Sequence, residues 1–222
     1  MLFSMSHRPF KDQIYGEFAR IGHTLASDRR LELLDLLVQA PRNVEALAAE
    51  TEQPVANVSQ HLQVLRRAHL VEAEREGTKV RYRLADNEVL DLWLALRKVA
   101  EKRLPELQEA TAKYMVDRTP PLSRDELATL LKRKDVYVID VRPKLEFDNG
   151  HIPGARAVPV EELADQLDDF PRDKRIIAYC RGAYCLFADE AVTLLRSKGF
   201  DAQRIEGGWA EWLAEKRPVK AG

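Results

Sequence analysis

Cysteine is scarce. Only Cys180 and Cys185 occur in 222 residues, and two thiols so close together are no disulfide framework. In a reducing compartment such a pair is more often catalytic, metal-binding or redox-active. Long apolar runs are missing as well. None approaches the roughly 18 residues that span a bilayer, and residues 1–15 lack the continuous apolar stretch of a signal peptide, so the sequence predicts a cytoplasmic protein with no membrane partner. Charge of one sign is also absent: 35 Lys and Arg stand against 36 Asp and Glu, net −1. That balance excludes a polycation, and any nucleic-acid footprint must be local. The five histidines, His7, His23, His61, His69 and His151, show no metal-ligand spacing, and neither a metal nor a cofactor is expected. The length suits one large domain or two small ones.

What is present centres on residues 176–185. An apolar run ends in Cys180, the loop Arg181-Gly182-Ala183-Tyr184-Cys185 follows, and Phe187, Ala191, Leu194 and Leu195 then recur at helical spacing. This reads as a strand, a tight loop and an amphipathic helix. A thiol placed there meets unpaired N–H groups and the positive end of a helix dipole, which lower its pKa, and Arg181 acts in the same sense. An isolated Cys is more commonly a small buried hydrophobe, but this context favours a reactive one. Further strands are expected at 136–140 and 201–205 and a helix at 161–167, an alternation that implies a parallel α/β sheet with ligands at the C-terminal strand ends. Asp140 and Arg142 suit a general acid and an anion clamp, but an ion pair at such an end is more often structural, with Arg142 helping to hold an anionic donor. Arg181 and Tyr184, exposed on the loop, are candidates for donor contact, while Trp209 and Trp212 read as core aromatics.

The Cys180 loop, together with Asp140-Val141-Arg142, Gly150-His151-Ile152-Pro153-Gly154-Ala155 and Gly207-Gly208-Trp209-Ala210-Glu211-Trp212, resembles the rhodanese family. The resemblance implies that Cys180 takes sulfur from a sulfane-sulfur donor and carries it as a persulfide within the loop. That family often places its loop Gly fourth and a basic residue sixth, whereas here Gly182 is third and Cys185 sixth. Cys185 is therefore a candidate resolving thiol.

The N-terminal half carries a different pattern. Apolar residues from Ile14 to Val38 recur at helical spacing up to Pro41, pointing to two helices or one bent helix. A short helix at 44–49, a turn at 52–54 and a helix at 55–67 with Val58, Leu62 and Leu65 inward fit a helix-turn-helix. Alternating runs at 70–75 and 79–84 around Glu76-Gly77-Thr78 add a hairpin, the wing. Asn57, Ser59, Gln60, His61 and Gln63 on the second helix suit base edges, and Arg66, Arg67, Arg75, Lys79, Arg81 and Arg83 suit phosphates. Taken singly such residues more often mark a solvated face. The segments Leu25-Ala26-Ser27-Asp28-Arg29-Arg30-Leu31-Glu32-Leu33-Leu34, Val58-Ser59-Gln60-His61-Leu62-Gln63-Val64-Leu65 and Gly77-Thr78-Lys79-Val80-Arg81-Tyr82-Arg83-Leu84 resemble the ArsR/SmtB family of dimeric winged-helix repressors. The resemblance implies a homodimer on double-stranded operator DNA, and the Cys and His positions used by that family's metal sensors are not matched.

A further apolar stripe, Val89, Leu92, Trp93, Leu96, Val99, Ala100 and Leu104, marks a helix bent or interrupted at Pro105 and is expected to dimerise with the N-terminal helix. The expected organisation is two domains: a mainly α winged helix-turn-helix at 14–116, a Pro-stiffened linker at 117–122, and an α/β rhodanese-like parallel sheet at 123–222. The expected function is a transcriptional repressor that senses reactive sulfur. The alternatives are a sulfurtransferase dimerised by its winged half and a thiol sensor of arsenite or another thiophilic metal.

Overall fold

Ser27 splits the long N-terminal apolar repeat into two helices. Its side chain accepts from Arg30 N and so caps α2 (Asp28–Gln39), which follows α1 (Arg8–Leu25). The computed structural model describes residues 7–115 and 119–221, and the chain falls into two units, Met1–Val89 and Leu90–Gly222. In the first, Pro41 follows α2 and a two-residue strand β1 (Arg42–Asn43) runs into α3 (Val44–Glu50), which Asn43 caps through Ala46 N at 2.8 Å. Pro54 opens α4 (Val55–Arg67). The hairpin β2 (Val71–Glu76) and β3 (Lys79–Leu84) turns at Gly77, whose φ of +62° suits glycine. β1 pairs antiparallel with β3, giving the order β1-β3-β2. Leu33, Leu34, Leu47, Val58, Leu62 and Leu65 are sealed in one core, which Val89 of α5 (Asn87–Arg103) joins. Leu104 is extended ahead of Pro105, so the chain breaks there and α6 (Pro105–Tyr114) starts afresh.

Of the expected linker, residues 117 and 118 lie outside the described residues, as does residue 116. Its last residue, Leu122, is buried and forms a parallel bridge to Ile205. The capping box of Ser123 and Glu126 then opens α7 (Arg124–Arg133). Next come β4 (Val136–Asp140), α8 (Lys144–Asn149), β5 (Arg156–Ala157), a 3-10 helix (Val160–Asp169) over the stretch where a helix is expected, β6 (Arg175–Tyr179), α9 (Phe187–Ser197), β7 (Ala202–Arg204) and α10 (Trp209–Ala214). The four strands are parallel in the order β5-β4-β6-β7. Alternate residues of β4 and β6 enter opposite apolar clusters, Ile139, Ile176 and Ala178 on one face and Val138, Ile177 and Tyr179 on the other. Burial on both faces explains why these strands read as unbroken apolar runs. Cys180 leaves the end of β6, a central strand.

Candidate functional site

Cys180 is only 1% exposed and Cys185 is half-buried. The Cys180 Sγ faces the carbonyl oxygens of Cys185 at 3.4 Å and Gly182 at 3.8 Å, and Cys185 N donates to Gly182 O at 3.2 Å. The loop therefore closes over the sulfur. Burial pushes the Cys180 thiol well up, and the neighbouring Cys185 thiol adds to the rise against the opposing N–H groups of Ala188 and Gly182. The Cys185 thiol is held below its ordinary value, first by the hydrogen bond from Cys180, then by the N–H groups of Arg181 and Phe187 and the Arg181 charge. The sequence expectation of a lowered pKa at Cys180 is thus corrected. β6 delivers that sulfur into the apolar cluster under α9, and the easier ionisation falls to its neighbour.

Two guanidiniums are turned inward, one of them in the ion pair expected at the end of β4. Arg142 and Asp140 are fully buried, joined at 2.6 and 2.9 Å, and Arg142 donates to Gly150 O at 2.8 Å while lying over the Trp209 ring. The pair ties β4 to the turn after α8. It offers no open surface for the donor-holding part expected of Arg142. Arg181, expected to be exposed, turns inward to the buried Glu146 carboxylate at 2.6 Å. Glu146 lies on the six-residue α8, which shows no periodicity that could have flagged it. Tyr184 does stand outside, 39% exposed, its phenol pushed up to about 12 by partial burial and by Glu101.

The loop is gripped from below by α10. Trp209 N and Ala210 N donate to the carbonyls of Cys180 and Arg181 at 2.9 and 3.1 Å. A Cβ on Gly208 would sit 2.4 Å from Cys180 O and 2.6 Å from Gly182 N, so only glycine permits this approach. Glu211, in the first turn of α10, meets Arg97 of α5 at 2.8 Å, and a Cβ on Gly182 would lie 3.3 Å from Arg97 Nη1. Nothing local in the sequence signals Arg97. Among the described residues no three of His, Cys, Asp and Glu gather as a metal site, and no helix is long and apolar enough to cross a membrane.

On the winged half, α4 buries Val58, Leu62 and Leu65 and turns Asn57, Gln60, Gln63, Arg66 and Arg67 outward. Ser59 and His61 are half-buried at the flanks. Arg75 and Lys79 are exposed on the wing, whereas Arg81 is half-buried and donates to Pro41 O at 3.2 Å. Arg83 pairs with Glu72 across the hairpin, which partly offsets its charge.

Comparison with known proteins agrees with both halves. Residues 27–73 match the bacterial regulatory protein, arsR family, and residues 123–215 match the rhodanese-like domain. The chain is similar to the HTH-type transcriptional regulator Rv0324 of Mycobacterium tuberculosis, 40% identical over 212 residues that cover 96% of this chain and 94% of that protein. The second half is similar to the thiosulfate sulfurtransferase GlpE of Shewanella oneidensis, 29% identical over 92 residues, 41% of this chain and 89% of that one. Among solved structures, the homodimeric winged helix-turn-helix DNA-binding domain (fragment 1-100) of Mb0332 from Mycobacterium bovis is 39% identical, covering 47% of this chain and 94% of that chain, with a TM-score of 0.42. With 40% identity running through nearly the whole length and the two domain matches in sequence, the chain belongs to the ArsR family of transcriptional regulators, fused to a rhodanese-like domain.

Proposed function

We propose that this regulator is a cytoplasmic homodimeric repressor on double-stranded operator DNA, and that its rhodanese-like domain senses reactive sulfur by accepting sulfane sulfur on Cys180. The observation that carries the reading is the placement of two free thiols in one closed loop at the end of β6, with Cys180 Sγ 3.4 Å from the carbonyl oxygen of Cys185. The first proton leaves Cys185, whose thiolate then takes the proton of Cys180 as the Cys180 sulfur attacks a persulfide R–S–SH. The S–S bond of the donor breaks, a new one forms at Cys180, and the proton leaves with R–SH. No net oxidation occurs in that step. Cys185 can next attack Sγ of Cys180, expelling the outer sulfur as hydrogen sulfide; the two cysteine sulfurs are oxidised to a disulfide and the sulfane sulfur is reduced. A sulfur that is 1% exposed suits a sensor loaded once better than a fast sulfurtransferase, because each transfer waits for the loop to open.

Two observations support the DNA and dimer parts. α4 and the wing turn amide side chains and cations outward from one core, as groove reading with phosphate contacts requires. Phe10, Tyr15 and Phe18 of α1 are 65–67% exposed, an apolar face of the sort a second copy covers. The test is operator affinity of wild type and Cys180→Ser, with and without polysulfide, at one salt concentration, alongside intact mass. Loading should change wild-type affinity by about tenfold and leave Cys180→Ser unchanged. Unchanged wild-type affinity at full loading of Cys180 would overturn the sensor and leave the sulfurtransferase reading.

A further inference from the structure

α5 is one continuous helix. It starts with Val89 in the winged-helix core, and two turns further on it presents Arg97. That side chain is 8% exposed, an uncommon depth for a guanidinium. Its Nη2 is 2.8 Å from Glu211 of α10, its guanidinium lies over the rings of Tyr184 at 5.3 Å and Trp93 at 5.9 Å, and its Nη1 abuts Gly182. Gly182 is thus held between Arg97 on one side and the backbone of Gly208 on the other.

We propose that Arg97 is the positioning residue that reports the sulfur state of the cysteine loop to α5, a role that rests on the sulfur-accepting reading above. The Cys180 thiol faces two carbonyl oxygens, of Cys185 and Gly182. A thiol can donate to such an oxygen. A persulfide ionises more readily than a thiol, and its anion cannot donate; carbonyl dipoles aimed at it are repulsive, the more so at a sulfur only 1% exposed to water. Loading therefore requires the Cys185 and Gly182 carbonyls to turn away from the sulfur. Gly182 is the loop residue against Arg97, so the same movement disturbs the Arg97–Glu211 contact. An ion pair this far withdrawn from water is destabilised when one partner shifts out of reach, so the pair converts a small loop displacement into a change at α5.

The experiment uses the full-length protein loaded with polysulfide, with loading verified by intact mass. Two readouts are taken together: hydrogen exchange of peptides from α5, and operator affinity. In wild type, loading should change exchange along α5. In Arg97→Gln and in Glu211→Gln, Cys180 should still load and operator DNA should still be bound, because neither residue lies on the winged face, but the loading-dependent change in α5 exchange should disappear. The loaded-to-unloaded affinity ratio should fall from about tenfold to below about twofold. The reciprocal exchange Arg97→Glu with Glu211→Arg should restore both, which a general loss of packing would not allow. Full α5 and affinity responses in both single variants would overturn the role of Arg97, as would an α5 that does not respond to loading in wild type while operator affinity does. An α5 response without any change in affinity would leave Arg97 in place and remove the sensor reading instead.

Discussion

At Cys185 a single neighbouring donor reverses the order of acidity that sequence position suggests. The Cys180 S–H is the largest influence holding that thiol down, so its removal should destabilise the Cys185 thiolate and raise the pKa. Iodoacetamide labelling of Cys185 followed against pH should show its midpoint move upward in Cys180→Ala and stay near wild type in Cys180→Ser, whose hydroxyl keeps a donor in place. Equal midpoints in wild type and Cys180→Ala would separate the two thiols. The position of the cysteines, in a loop between a strand and a helix, was legible from the apolar run and glycine loop around them. Their ionisation was not, because it depends on how deeply β6 drives Cys180 into the cluster under α9. The same applies to the guanidiniums: Arg181 finds Glu146 35 positions away and Arg97 finds Glu211 114 positions away, separations at which a pairing leaves no local pattern.

Among the elements, those with a long repeat were read from spacing alone. Val58, Leu62 and Leu65 place α4, and the apolar runs place β4 and β6. α8 and α10, six residues each, and the two-residue β1 are shorter than any period that could mark them. They form because tertiary partners hold them: β1 by pairing with β3, and α10 by its bonds to the cysteine loop. On the recognition elements the structure separates two kinds of substitution. Gln60 is exposed near the middle of α4 and free of any role in the core, so Gln60→Ala should narrow the gap between operator and scrambled DNA. Lys79 is exposed on the wing, and Lys79→Ala should weaken binding to both DNAs alike and reduce the salt slope by about one. Titrations of both DNAs at several salt concentrations distinguish them; identical profiles for the two variants would undo the division of labour. Arg81 is a poorer probe, because its bond to Pro41 O mixes structure with phosphate contact.

For the whole molecule, the exposed aromatic row on α1 makes oligomeric state the property most open to a surface change. Phe18→Glu places a charge where the side chain is 66% exposed, so the fold should keep its thermal midpoint at low concentration while sedimentation shifts toward monomer and operator affinity falls. A dimer that persists in this variant would place the interface elsewhere. Each half carries its own periodicity and motifs, and the arsR-family match at 27–73 and the rhodanese-like match at 123–215 fall one in each half; the compact units divide at Val89, ahead of the linker expected at 117–122. The closed loop over Cys180 also sets a clock. Under the proposed sulfur acceptance, a donor reaches Cys180 only after the loop parts, so raising donor concentration would accelerate loading up to the opening rate and no further, and a brief burst of reactive sulfur would pass largely unrecorded while a sustained rise would be written into every molecule.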